Sequence, residues 1–119
     1  MNREILREIS SEILSSTTVF FLVNEKRKTA IQVMEFIEGG ELCKVVVHIK
    51  HPLKDLAFKM YNMNIYYGSI VLLSSLNDTM GIVSFIEIMG RSEIEKLMVS
   101  KDFVLSETTG ELTDFILNP

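Results

Sequence analysis

A cluster of basic residues marks one segment of an otherwise acidic chain. Between residues 44 and 59 the only acid is Asp55, whereas four lysines occur there: Lys44, Lys50, Lys54 and Lys59. An apolar run ends at Lys50, and Pro52 follows two residues later. Because proline is favoured at the first position of a helix, we expect a helix to begin there. The free N–H groups of a first helical turn and the helix dipole attract anions. The spacing therefore predicts a phosphate or carboxylate site at this strand–helix junction, and the alternative is that these lysines are ordinary solvated charges.

Two histidines lie at the same junction. His48 alternates with Val47 and Ile49, so on a strand its side chain points to the opposite face, beside Lys50. There it lines a cofactor groove or is a partly buried residue with a satisfied hydrogen bond. His48 and His51 stand three residues apart across a strand end, not on one helix. Because no cysteine or aspartate pair is near them, we expect no metal site.

Length and composition place this junction in a single domain over residues 1–119. The net charge of −4 argues against broad attachment to nucleic acid or to an anionic membrane, so neither is an expected partner. No apolar run is long enough to span a bilayer, and acids interrupt the N-terminal segment, so we expect a cytoplasmic protein. The one cysteine, Cys43, excludes an internal disulfide and is predicted to be a small core residue.

The elements that would position the junction follow from apolar periodicity and turn residues. Apolar residues at helical spacing predict an N-terminal helix over residues 5–14. A second helix is expected to start at His51 and Pro52, and a third at Ser92, whose spacing to Glu95 fits a capping box. The predicted strands are Thr17–Asn24, Thr29–Ile37, Leu42–Lys50, Ile65–Leu76, Met80–Met89, Phe103–Glu107 and Leu112–Leu117.

The predicted strands are apolar on both faces. An antiparallel sheet with one wet face should alternate apolar with polar residues, and this chain does not. Short turns, including the Gly39-Gly40 pair, favour antiparallel connections. We therefore predict a mainly β (α+β) fold, a small antiparallel β-barrel with flanking helices, which buries its second apolar face in a homodimer.

Two segments of the chain resemble a known family. Residues 90–94, Gly-Arg-Ser-Glu-Ile after an apolar strand, resemble a G-x-A-x-(apolar) segment, and residues 46–56, VVHIKHPLKDL, resemble a strand followed by a Ser-x-Lys helix start. Both patterns, with the order of elements over residues 3–100, are typical of the split-barrel flavin-binding proteins, the pyridoxamine 5′-phosphate oxidase-like group. The resemblance implies a six-stranded split barrel, a homodimer, and FMN bound in grooves at the dimer interface.

The resemblance also implies where the flavin phosphate would bind. Lys54 matches the lysine of the Ser-x-Lys pair, but Pro52 stands at the serine. His48 stands at a strand threonine and Gln32 near a second-strand arginine, while a further family lysine falls near Ile37. The cofactor-binding residues expected from the resemblance and the junction together are Lys54, Lys50, His51, His48 and Gln32. Members of this superfamily also bind haem or the deazaflavin F420.

Two functions from different classes follow. The first is an FMN-binding, oxidoreductase-like dimer in which the cofactor supplies the redox chemistry, since no side chain stands out as an acid or base. The second is a cofactor-free homodimeric sensing or protein-interaction module, such as a roadblock-like or other α/β dimerisation domain. The loss of three family contacts, the arginine near Gln32, the serine at Pro52 and the lysine near Ile37, favours the second. Topology separates them, because a closed barrel favours the first function and an open sheet the second.

Overall fold

The computed structural model of the chain describes residues 18–55, 72–75, 78–106 and 114–115. They contain a nine-residue helix, α1 (Arg91–Val99), a 3₁₀ turn at Glu38–Gly40, and helical residues at 53–55. The six strands are β1 (Phe20–Asn24), β2 (Thr29–Ile37), β3 (Leu42–Pro52), β4 (Leu72–Ser75), β5 (Met80–Gly90) and β6 (Val104–Ser106).

The strands form one sheet in the order β4-β5-β3-β2-β1-β6, and every neighbouring pair is antiparallel. This confirms the mainly β, antiparallel class. Among the described strands, β4 and β6 stand at opposite ends of this order and do not pair with each other, so the sheet is open. The structure therefore does not show the closure that a split barrel requires.

Two tight turns set the register of the meander. Between β1 and β2, the Arg27 N–H donates to Asn24 Oδ1 at 2.9 Å, a side-chain-closed turn typical of asparagine. Between β2 and β3, Gly39 and Gly40 have φ values of 71° and 92°, which side chains with a Cβ rarely adopt. The Gly pair thus explains why the second turn forms where the sequence predicts it.

The main hydrophobic core covers one face of the central strands. Its buried members come from β1, β2, β3, β5 and α1, and they are Leu22, Ile31, Val33, Cys43, Val45, Val47, Val83, Phe85 and Ile94. Helix α1 closes this face through Ile94, which is 1% exposed. Cys43 is fully buried, as predicted, and burial raises the pKa of its thiol.

Several predicted element boundaries are wrong: β1 begins at Phe20, β5 ends at Gly90 and β6 begins at Val104. β3 continues past Lys50, because His51 and Pro52 pair with Gly81 and Met80 of β5, so the helical residues begin at Leu53. Pairing with β2 stops at Ile49, so the missing N–H of Pro52 interrupts no ladder on that side.

Helix α1 also begins earlier than predicted. Its N-cap is Gly90, and no side chain caps it, so Ser92 lies inside the helix and the capping box does not form. The Arg91 N–H donates to the Glu41 carbonyl at 2.9 Å, which satisfies one first-turn donor through the backbone.

Four predicted elements lie largely or wholly outside the described residues. The strand predicted over Leu112–Leu117 is wrong at Asp114 and Phe115, which are helical. Phe115 is buried there against the sheet, so packing overrides its strand propensity. The rest of that predicted strand, the predicted N-terminal helix, most of the second helix, and residues 65–71 and 76 of the fourth strand lie outside the described residues.

Candidate functional site

A row of polar side chains crosses the buried half of the sheet face opposite the main core. His48 of β3 lies opposite Ser84 of β5, and Gln32 of β2 is its diagonal neighbour. His48 Nδ1 is 2.7 Å from Ser84 Oγ, and His48 Nε2 is 3.1 Å from Gln32 Oε1. Gln32 Nε2 donates onward to Thr18 Oγ1 at 2.8 Å. None of the three central side chains is more than 1% exposed.

The hydrogen bonds fix the protonation of His48. Because the Gln32 amide uses Nε2 to donate to Thr18, its Oε1 is the acceptor facing the imidazole. His48 therefore carries its proton on Nε2 and accepts at Nδ1 from the Ser84 hydroxyl. Burial lowers the pKa of His48 to about 3, so the ring is neutral near pH 7. A neutral, fully bonded imidazole stabilises the fold but offers no charge to an anion.

Lys50 lies on the same face of β3, two residues beyond His48. It is 3% exposed, and its Nζ donates to the Phe115 carbonyl at 2.9 Å. The same Nζ lies 4.0 Å from the centroid of the Phe115 ring and 4.0 Å from Glu25 Oε2. Burial lowers the pKa of Lys50, and the Glu25 carboxylate partly opposes this. Lys50 therefore attaches Phe115 to the sheet.

The geometry of β3 separates the side chains of the predicted anion site from one another. Alternation puts His51 on the face opposite Lys50, and Lys54 is exposed in the helical residues that follow. The Leu53 N–H, which a phosphate would need, donates to the Thr79 carbonyl at 2.8 Å. The structure thus brings Gln32 and His48 into contact but does not join either one to Lys54. FMN binding at this junction stays a prediction.

The other half of the same sheet face is apolar and partly exposed. Ile86 and Ile88 of β5 are 38% and 50% exposed, and Val19 just before β1 is 45% exposed. Two opposite charges, Glu35 and Lys44, lie among them as Cα partners across β2 and β3. We call this surface the apolar patch, and its members are Val19, Ile37, Leu42, Val46, Ile86 and Ile88, with Glu35 and Lys44.

Sequence reasoning missed part of this face. It singled out Gln32 and His48 separately but not Ser84, whose signal is visible as the one hydroxyl within the apolar β5 run. The strands that are apolar on both faces predicted a second buried surface, but they did not show where on the sheet the exposed apolar patch lies. The location depends on which strands the rest of the chain covers, and that is a tertiary property.

The chain was compared with protein-family models, curated proteins and solved structures, and none of them matches it. Within the described ranges, no group of three or more metal-ligating side chains comes together. In that same part of the chain, no helix has the length and hydropathy needed to cross a membrane.

Proposed function

We propose that this chain is a cofactor-free protein-interaction module that binds its partner through the apolar patch. One observation carries the proposal: the open sheet buries one half of a face and leaves the other half apolar and exposed at Ile86 and Ile88. An antiparallel sheet that faces water normally places polar residues there. Exposed apolar surface of this kind is typical of interaction sites.

The energetics favour covering the patch. Fully burying an isoleucine contributes about 1.5–3 kcal/mol, so covering the exposed part of Ile86 or Ile88 contributes about 1 kcal/mol each. Half-buried neighbours such as Leu42 and Val46 add smaller amounts. A partner that covers the patch therefore gains stabilisation spread over several aliphatic side chains.

The state of the predicted cofactor residues supports a function without a cofactor. His48 is neutral and donates to Gln32, and the Lys50 amine is engaged by Phe115. A flavin phosphate would have to break these buried bonds before it gained its own, and a lost bond to a charged group costs about 1.5–3 kcal/mol.

The test uses a photo-crosslinking residue, because it needs no knowledge of the partner. Ile88→benzoylphenylalanine places the probe in the apolar patch, and Val99→benzoylphenylalanine is the matched control at an exposed apolar position at the end of α1. In cells expressing the chain, we expect a discrete adduct from position 88 and none from position 99. Equal labelling, or no adduct at 88, would contradict the proposal.

A second measurement addresses the cofactor. The purified protein is titrated with FMN, deazaflavin F420 and haem while absorbance and fluorescence are followed. We expect no saturable binding. Saturation by FMN near one per chain would overturn the cofactor-free proposal in favour of the split-barrel flavoprotein, and Lys54→Glu would then test the predicted phosphate site.

A further inference from the structure

We infer that the partner seated on the apolar patch is a second copy of this chain, arranged about a two-fold axis so that Lys44 of each copy meets the partner's Glu35. This inference rests on the proposed function, because it uses the same surface and names what covers it.

Glu35 and Lys44 are opposite charges that form no ion pair with another described residue of the same chain. They are direct partners across β2 and β3, yet within the described part of the chain neither makes an ion pair within 4.0 Å. Glu35 is exposed and Lys44 is half-buried among aliphatic side chains. A partner that buried the patch would have to supply one negative and one positive charge, side by side, to satisfy both.

A second copy supplies that pair. In a two-fold interface the same surface is used twice, so each residue of a complementary pair finds the other on the partner. The patch has no net charge, because one lysine balances one glutamate. A nucleic acid or a strongly charged peptide would leave one of the two charges unpaired, and burying an unpaired charge is costly.

The register shows that the geometry closes. Consider a two-fold axis that lies in the plane between the two facing sheets, runs parallel to the strands, and passes over the midline between β2 and β3. It places the partner's Lys44 above Glu35 and the partner's Glu35 above Lys44. Sheets pack face to face about 10 Å apart, a gap that a lysine and a glutamate reaching toward each other can bridge.

The same rotation also pairs exposed apolar residues. Ile88 lies next to Lys44 on the β5 side, and it is carried to the β1 side of the partner, toward the partner's Val19. Both residue types are close to half exposed in the single chain. The axis therefore accounts for the charged pair and for the exposed apolar residues that flank it.

The size of the patch predicts a weak dimer. Its residues span four strands and about five positions along them, or about 19 Å by 17 Å at the usual spacings. The resulting area of about 320 Å² is small compared with the ~800 Å² that each partner buries in a standard interface. We expect monomer and dimer to exchange at micromolar concentrations.

The decisive experiment swaps the charges in separate chains. Lys44→Glu and Glu35→Lys are each examined by sedimentation equilibrium, with circular dichroism to verify folding. Each variant alone places like charges at both pairs, so we expect its dimer affinity to fall at least about tenfold. An equimolar mixture of the two should associate at least as well as the wild type, because both pairs regain opposite charges. The chain with both substitutions should also dimerise.

The outcomes separate this inference from the proposed function. If the double variant recovers but the mixture does not associate, the pair acts within one chain and the inference is wrong. If the wild type stays monomeric while the probe at position 88 captures a different protein, the second copy is wrong and the proposed function stands. If position 88 gives no adduct and the wild type is monomeric, both fail. An adduct with the mass of two chains, together with recovery in the mixture, supports both.

Discussion

The Nδ1 atom of His48 lies 2.7 Å from the Ser84 hydroxyl oxygen, and neither side chain reaches solvent. This contact joins β3 to β5, as the contact of His48 with Gln32 joins β3 to β2. It makes His48 a structural residue whose replacement should be felt in stability rather than in ligand binding.

His48→Ala should destabilise the fold by about 2–4 kcal/mol, because it opens a cavity and leaves Gln32 Oε1 without its donor. Ser84→Ala should cost less, about 1–2 kcal/mol, since it removes one donor and little volume. Urea unfolding followed by circular dichroism measures both. His51→Ala, on the half-buried opposite face, is the control, and a cost equal to that of His48→Ala would contradict this role.

The buried histidine also predicts how stability depends on pH. The pKa of His48 is about 3 in the folded chain and near the ordinary histidine value of 6.5 when unfolded, so the unfolded state binds the extra proton between these values. Its contribution is complete above pH 6.5 and is lost as the pH falls toward 3, at about 1.4 kcal/mol per pH unit. His48→Gln should be less stable at pH 7 but lose stability less steeply over that range. Parallel pH profiles would contradict the assignment.

Lys50 and Phe115 should be energetically coupled. The ammonium group lies over the ring at 4.0 Å, and a partly desolvated contact of this kind is worth about 1 kcal/mol. A double-mutant cycle of Lys50→Met and Phe115→Leu, measured by urea unfolding, should give a coupling of that size. Lys54→Met replaces Lys50→Met in the control cycle, since Lys54 is exposed, and its coupling to Phe115 should be close to zero.

The apolar patch predicts that a single buried charge blocks association. Ile86→Asp should weaken the dimer more than tenfold, because the carboxylate would lie opposite Val46, among aliphatic side chains of the apolar patch. Val99→Asp introduces the same charge at a more exposed site away from the patch and should leave the affinity unchanged. Sedimentation equilibrium over a range of concentrations distinguishes the two. Equal effects would mean that net charge, rather than the patch, controls association.

The two glycines of the turn between β2 and β3 should differ in how well they tolerate substitution by alanine. A Cβ added at Gly40 would lie 2.9 Å from an Arg91 side-chain nitrogen, whereas one at Gly39 meets nothing within 4 Å. Both residues have positive φ, so either alanine costs about 1 kcal/mol in backbone strain. Gly40→Ala should therefore be the more destabilising in urea unfolding. The reverse order would show that the Arg91 side chain moves away without cost.

Local pattern was enough to predict much of the sheet. β2 occupies Thr29–Ile37 as predicted, and β5 differs by one residue, because β-branched runs between turn residues carry a strong strand signal. The end of β3 and the start of α1 could not be predicted. Both depend on backbone partners far along the chain, Gly81 for His51 and Glu41 for Arg91.

The candidate site was harder to predict than the fold. His48 and Gln32 were expected to approach a shared ligand, whereas the structure shows them bonded to each other. Their contact depends on the pairing of β2 with β3, and Ser84 is 36 residues from His48. Residue type and spacing identified two members of the row, but their burial and neutrality follow from tertiary packing.

The polar row has a consequence for how β3 chooses its alignment. Val45, Val46 and Val47 are interchangeable in hydrophobicity, so they give the strand little reason to prefer one face over the other. A slip by one residue would turn His48 into the main core and leave both Gln32 and Ser84 facing Val47 or Ile49, depending on the direction of the slip. His48 thus specifies the strand register, because a misaligned sheet would bury the imidazole without its hydrogen-bond partners and would be less stable.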